Sequence, residues 1–503
     1  MTSAKAERGI VMPGTDLFKS ALAGLRRANR SAARGAVVIR IGLGVAALLL
    51  LATVVEAGFN LPNLFPFLDP SGFSATHSAA GSIDMRGAFF QSLGTNGRSC
   101  ATCHVPGDDF GLSAADAQAR NFLTRGKDPL FAAVDGSTCP TGRLDHSLVL
   151  NNGLFRIALA VPPGAEYTVV AAEDPYGCAL ITDATGQQTV SVYRRPLPAT
   201  NLGFLSAVMF DGRETVKPLD TAQTFTANLT FDLTQQALDA TLGHAQAIQP
   251  PTSAQLTDMV TFERGLNSAQ LFDFFAGKLY GSDGSLGGPR FLSMQRYYPG
   301  INDSLGGDPE RKPFDSAAFS LYNTWRNSSD PRRASIERGE QIFNTQPLTI
   351  SDVPGLTTGD ASIVGTCSTC HDTPNVGDHS SALPLDVGTS HSLRYETDPN
   401  IIAALQQLQP PRLPVFELLC NAGPLAGQVS YTSDPAKALI SGKCSDIGRG
   451  KGPILRGLAA RAPYFHNGAA ANLSQVVNFY DKRFQIGLTA QQKQDLLNFL
   501  RAL

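Results

Sequence analysis

Apolar positions recur at helical spacing along several stretches of the chain. Between residues 83 and 94, Met85, Ala88, Phe89, Phe90 and Leu93 make one apolar face, which predicts a helix. Residues 233–246 predict a second helix, opening at Asp232 or Thr234 as cap, and residues 253–270 a third. Residues 332–343 predict a charged amphipathic helix. The final run, 488–503, predicts a closing helix capped by Thr489, with Leu496, Leu497, Phe499, Leu500 and Leu503 apolar. From about 122 to 200 the period changes. Short runs such as Leu148-Val149-Leu150, Phe155 to Leu159 and Tyr167 to Val170 alternate with turn residues, which predicts a small strand-rich insertion. Residues 281–307 are glycine-rich and irregular, and residues 58–74, with their prolines and phenylalanines, read as a linker.

At the N-terminus Lys5, Arg8, Lys19, Arg26, Arg27, Arg30 and Arg34 stand against Glu7 and Asp16, and an uncharged apolar run from 41 to 55 follows. A basic region feeding such a run is an export signal, either removed or kept as an inner-membrane anchor over residues 36–57 with Arg40 snorkelling to the interface. The expected division is therefore a signal or anchor at 1–58, a linker at 59–80, a region 81–330 carrying the insertion, and a region 331–503.

The chemistry sits just after two of the predicted helices. Cys100-Ala101-Thr102-Cys103-His104 has a twin in Cys367-Ser368-Thr369-Cys370-His371. Two thiols about one turn apart can add to the two vinyl groups of one haem, and the adjacent histidine then reaches the iron. A zinc knuckle, a redox dithiol or chance are the alternatives. With eight cysteines and eight histidines in 503 residues, composition alone gives about 0.002 such pentamers per chain, so two of them point to two covalent haem c groups. Cys100, Cys103, Cys367 and Cys370 are then the attachment residues, with His104 and His371 as iron ligands.

The other cysteines are Cys139, Cys178, Cys420 and Cys444. In an exported protein, pairing Cys139 with Cys178 and Cys420 with Cys444 is the cheapest in loop closure; free thiols are the alternative. A net charge of −2 gives no footing for nucleic acid, and 48 glycines and 32 prolines with 17% charged residues suit a loop-rich protein in which cofactors replace part of the core. The length suggests two to four domains.

Beyond the haem motifs, Asp211-Gly212-Arg213, Leu233-Thr234-Gln235-Gln236-Ala237 and a C-terminal signature stand out. The signature comprises Leu455 to Ala459, Ala462-Pro463-Tyr464-Phe465-His466-Asn467-Gly468, and Leu473 to Val477. With these, residues 80–503 outside the insertion resemble the bacterial di-haem cytochrome c peroxidase superfamily, which includes the di-haem enzyme that matures methylamine dehydrogenase. The resemblance implies a mainly α fold of two cytochrome c-like haem domains packed face to face, often with calcium between them. It also implies a periplasmic enzyme with hydrogen peroxide as substrate and a small electron donor, a cytochrome c or a cupredoxin. Peroxide would bind at the haem on His104, and electrons would enter through the haem on His371.

The chain departs from that pattern in informative places. The family's removable distal histidine is missing, since no histidine lies between His104 and His146, and Arg120 stands near its place. The family's tryptophan before Asp-Gly-Arg is Phe210, and the chain's one tryptophan is Trp325. Gln236 matches the family's distal glutamine, whereas its glutamate is replaced by Gln246, whose amide cannot shuttle a proton. His244, on the same predicted helix, can. Gln236, His244, Gln246 and Arg213 are thus the candidate catalytic residues. None of the six methionines follows His371, which removes His/Met ligation from the C-terminal region. Alignment with the family then puts Tyr480 at the sixth position of the second iron, with His379 and His391 as competitors. His466 is expected to hold a haem propionate or shape its turn. Two function classes follow: a peroxide-using oxidoreductase, acting as a peroxidase or on a protein or organic substrate, and an electron carrier with both irons six-coordinate.

Overall fold

The computed structural model describes residues 60–142, 144–357 and 361–503; the expected export signal or anchor lies outside them. Among the described residues no helix is long and apolar enough to cross a membrane.

The C-terminal core follows the sequence closely. Asp330 caps the helix Pro331–Thr345 by accepting from the backbone N–H groups of Arg332 and Arg333, and Pro331 opens its first turn. The closing helix Ala490–Arg501 starts at Thr489, whose side chain forms a capping box with Gln492. The two helices cross at Gly339, where a Cβ would overlap the carbonyl of Asp495. That approach brings Phe343 and Phe499 to 5.7 Å between ring centroids, within a core that also holds Ile336, Leu496 and Leu500. Each such side chain, fully buried, contributes about 1.5–3 kcal/mol.

The N-terminal half departs further from the expected pattern. Residues 83–94 form only the strand Ser82–Asp84 and a single turn, Ala88–Phe90. The turn is fixed from outside, by Asp258 accepting from the Ala88 N–H at 2.6 Å. The long helix begins at Ala222, well before the expected caps, and ends at Gly243. Asp232 does not cap it: its carboxylate turns away to accept from Lys217 N at 2.9 Å. Thr230 and Thr234 bond back to carbonyls four residues earlier. The third helix, Ser253–Arg264, stops short, and Leu266–Asp273 is a strand.

That strand corrects the linker expected at 59–80. Gly72–Ser78 pairs with it antiparallel, Ser78 opposite Leu266, in a four-stranded sheet with Phe67–Leu68 and Gly277–Lys278. Helix accounts for 31% of the structure, and several small sheets stand beside it. The strand-rich insertion is real, with strands Phe155–Ala160, Tyr167–Glu173, Leu180–Thr182 and Gln188–Arg194. It is not confined to the N-terminal half. Tyr167–Glu173 pairs with Val415–Cys420, Val169 opposite Leu418, and Val429–Thr432 completes that sheet. Val169, Val190, Val192, Phe416 and Leu418 form one core there. The disulfides form as expected, Cys139–Cys178 and Cys420–Cys444. Leu279, Phe319, Tyr322 and Trp325, assigned by sequence to the first region, pack in the core of the second. Residues 59–503 accordingly make one compact unit.

Arg194 joins the distant parts of this unit. It donates to Asp434 at 2.6 and 2.8 Å and to Asp211, of the Asp-Gly-Arg run, at 2.5 Å. All three side chains are buried. Arg194→Met strands Asp434 and leaves Asp211 with Arg213 alone, and a buried charge that loses its partner costs about 3–5 kcal/mol. Denaturant unfolding should show that loss; one under about 1 kcal/mol would mean Arg213 and water replace the guanidinium.

Candidate haem centre

Both C-x-x-C-H motifs form the same turn. Ser99 and Thr102 cap the first and Thr366 and Thr369 the second, each as a capping box over one 3-10 turn. His104 N donates to Cys100 O at 3.0 Å and His371 N to Cys367 O at 3.1 Å. Each histidine Nδ1 faces the carbonyl six residues on: Phe110 O at 3.2 Å for His104, Gly377 O at 2.6 Å for His371. A carbonyl only accepts, so Nδ1 carries the hydrogen and Nε2 keeps the lone pair a metal needs. Burial pushes both imidazoles down, to about 4, which keeps them neutral.

One cavity of about 490 Å³ reaches Cys100, Cys103 and His104 as well as Cys367, Cys370 and His371. None of the four motif cysteines is in a disulfide. Burial pushes Cys103 up to about 11 and Cys367 and Cys370 to about 12, so they face the cavity as neutral thiols. Paired thiols, lone-pair histidines and an apolar wall fit covalent haem c at each turn.

The long helix supplies one wall. Leu233, Gln236, Ala237, Ala240 and His244 line the cavity from one helical face. His244 Nδ1 lies 2.6 Å from Asp135 Oδ2, and Asp135 is also paired with the buried Arg98. Burial raises the Asp135 carboxyl, but His244 and Arg98 outweigh it and hold the group below its usual range. Gln246 does not join them. The helix has ended, Gln246 is exposed with φ +55°, and its side chain meets Asn96 instead. Arg213 lines the cavity and is held by Asp211 at 3.0 Å. Arg120 stands behind the first motif, donating to Thr102 O at 2.6 Å, and takes no place in the cavity wall.

Phe210 stacks on His466, ring centroids 4.4 Å apart and planes 12° from parallel, with the Arg194 guanidinium 5.2 Å above Phe210. Tyr480 lines the cavity near Cys367 and Cys370, packed among Phe465, Phe479 and Phe484. Burial pushes its phenol well above the usual range. His391 is excluded as an iron ligand, because both ring nitrogens are taken, Nδ1 by Glu396 and Nε2 by Asp386. His379 touches the cavity, but its Nε2 lies 3.3 Å from Asp372 Oδ2.

Two cavity residues escaped the sequence. Glu263 is buried in the wall, and burial pushes its carboxyl up to about 8. It sits one turn after Met259, whose sulfur is 3.8 Å from the Cys100 thiol. An acid on the apolar face of a helix, where Leu500 follows Leu496 in the second half, was the available signal. Lys451 donates from Nζ to Ala207 O at 2.9 Å, and burial pulls its ammonium down to about 8. Nothing in its sequence context marks it.

No protein-family model matches the chain. It is 26% identical over 226 residues to the cytochrome-c peroxidase IdrP1 of Pseudomonas sp. (strain SCT), spanning 43% of this chain and 50% of that protein. It is 29% identical over 150 residues to the cytochrome-c peroxidase IdrP2 of Denitromonas iodatirespirans, 28% of this chain and 36% of that one. The chain thus spans about half, or less, of the length of the curated relatives it matches. Among solved structures, a MauG-like protein associated with microbial copper homeostasis aligns over 65% of this chain and 79% of its own, at 14% identity and a TM-score of 0.28, a level at which no argument rests on it. The residues at both turns fit those that hold haem in a c-type cytochrome. Both sequence relatives carry the name cytochrome-c peroxidase, which agrees with the superfamily that the motifs resemble.

His391 makes a pH prediction. Burial lowers its pKa, but Asp386 and Glu396 more than offset this and raise it from 6.5 to about 10. A raised imidazole stabilises the fold fully below pH 6.5, and that contribution is lost as pH climbs through 10. Unfolding free energy should fall more between pH 6 and 10 in the wild type than in His391→Gln. Equal slopes would refute the assignment.

Proposed function

We propose that the protein is a periplasmic di-haem c-type oxidoreductase of the cytochrome c peroxidase type. Hydrogen peroxide reacts at the haem on Cys100, Cys103 and His104, and electrons from a small cytochrome c or cupredoxin enter through the haem on Cys367, Cys370 and His371. The observation that carries this reading is the His244–Asp135 pair in the wall of a cavity that also holds both haem motifs. A haem held on His104 would supply the redox-active iron that peroxide reduction needs.

The chain's own residues supply the rest. Asp135 fixes the His244 ring through Nδ1, which leaves Nε2 to take a proton from one peroxide oxygen and return it to the other. Gln236, two turns earlier on the same face, orients peroxide through its amide and moves no proton. Arg213, anchored by Asp211, puts a fixed positive charge on the wall. Gln246, outside the cavity, takes no part. Phe210 is much harder to oxidise than the family's tryptophan, and Trp325 is buried away in the C-terminal core, stacked on Tyr322. Oxidising equivalents therefore stay more localised than in relatives. Tyr480 is the residue that would ligate the iron of a haem held at the second motif, a role supported by its place in the cavity beside Cys367 and Cys370.

The competing reading, an electron carrier, draws on Met209. Its thioether lines the same cavity, on a residue held at φ +68°, and thioethers ligate iron in other cytochromes.

Protein carrying two haems by its pyridine haemochrome separates the two readings. The diferric form should show a high-spin component and react with peroxide without prior reduction, and His244→Ala should slow that step by roughly 10²- to 10⁴-fold. A wholly low-spin diferric protein, inert to peroxide, would make it an electron carrier. Tyr480→Phe should change the low-spin spectrum and the potential of the second haem alone; an unchanged spectrum would remove Tyr480 as ligand.

A further inference from the structure

The loop at residues 300–307 is clamped onto the segment just after the second haem motif. Gly300 N donates to Ser380 O at 2.9 Å, Asn302 Nδ2 to Asp372 O at 2.9 Å, and Ser304 Oγ to Thr369 O at 2.7 Å. This clamp brings three buried side chains together. One oxygen of Asp303, one of Asp372 and a ring nitrogen of His379 lie within 4.8 Å of one another.

The cluster is built rather than accidental. Asp303 is oriented by the N–H groups of Leu305 at 2.9 Å and Gly307 at 3.1 Å. Gly307 is required, since a Cβ there would overlap the Asp303 carboxylate. Asp372 accepts from Ser380 N at 2.7 Å and Ser304 N at 3.2 Å. Among the described residues neither carboxylate is paired with a lysine or arginine. His379 is 2% exposed, and its Nε2 has no hydrogen-bond partner although it is aimed at Asp372. Its Nδ1 lies 3.2 Å from Ser381 O and is also met by the Ser381 N–H and hydroxyl, each at 3.3 Å. In the tautomer that donates from Nδ1 to Ser381 O, Nε2 presents a lone pair to two carboxylates, and two acceptors and a lone pair share nothing unless a cation or protons lie between them.

The geometry points to a divalent metal site at Asp303, Asp372 and His379, taking a first-row transition ion such as Mn²⁺ or Zn²⁺. The donor set decides the class. Calcium takes oxygen ligands throughout, whereas one imidazole with two carboxylates suits manganese, iron or zinc. The ion staples the 300–307 loop to the second motif. Because Asp372 follows His371 directly, the ion's positive charge, set against that carboxylate, also favours an electron on a haem held at His371. The assignment stands apart from the peroxide chemistry proposed above.

The full haem-loaded protein, stripped with EDTA and titrated with Mn²⁺, tests this through loss of the free Mn²⁺ EPR signal. One equivalent should bind, Zn²⁺ should compete with it, and Ca²⁺ should bind more weakly than either. Asp303→Asn and His379→Gln should each weaken binding by at least roughly 10- to 100-fold. If those variants do not fold, wild-type melting decides, since added Zn²⁺ should raise the Tm of stripped protein and EDTA should lower it again. Absence of binding at millimolar Mn²⁺ and Zn²⁺, a Tm indifferent to both, tighter binding of Ca²⁺, or full affinity in His379→Gln would each overturn the assignment.

Discussion

Each motif histidine gives its Nδ1 hydrogen to a backbone carbonyl six residues later, and the rest of the site depends on that bond. It fixes the tautomer, points Nε2 into the cavity, and ties the loop after each motif to the turn that carries the thiols. A turn this short has no core of its own. It holds its shape only because cap side chains close it from one side and packed aromatics close it from the other, Phe89 and Phe110 around His104 and Phe343 beside His371.

Around this shared construction the two halves diverge. The wall near the first motif carries Gln236, an amide that can orient a ligand, and Glu263 and the His244–Asp135 pair, which can hold or move protons. The wall near the second carries Tyr480 in an aromatic nest, with Leu496 and Leu500 where the first half has Met259 and Glu263. Polar groups beside a cofactor cost desolvation, and a fold retains them where chemistry needs them. The difference in side chains supports the proposed division into a reacting haem and an electron-entry haem.

The halves are not separable pieces. A strand of the insertion pairs with one from the C-terminal half, Arg194 links the insertion to both Asp211 and Asp434, and Ala276, Leu279, Phe319, Tyr322 and Trp325 sit in the C-terminal core. Such interlocking makes the spacing between the two attachment turns a property of the whole fold, which suits electron transfer between fixed centres.

What the sequence determined was short-range chemistry. The two C-x-x-C-H turns, the Thr489 cap, the helix opened by Asp330 and the disulfide partners all rest on residues whose partners are close in the chain or set by loop closure. What only the tertiary structure decided was long-range partnership. Residues 72–78 look like a linker because their pairing strand lies nearly two hundred residues away. Asp232 looks like a cap until Lys217 claims its carboxylate. Gln246 sits at the family's glutamate position, yet the helix ends first and turns it to solvent. His244 gains its orientation from Asp135, and Asp303 meets Asp372 and His379, through contacts spanning many tens of residues. Local propensity cannot encode such meetings, because they are set by which faces the fold presses together.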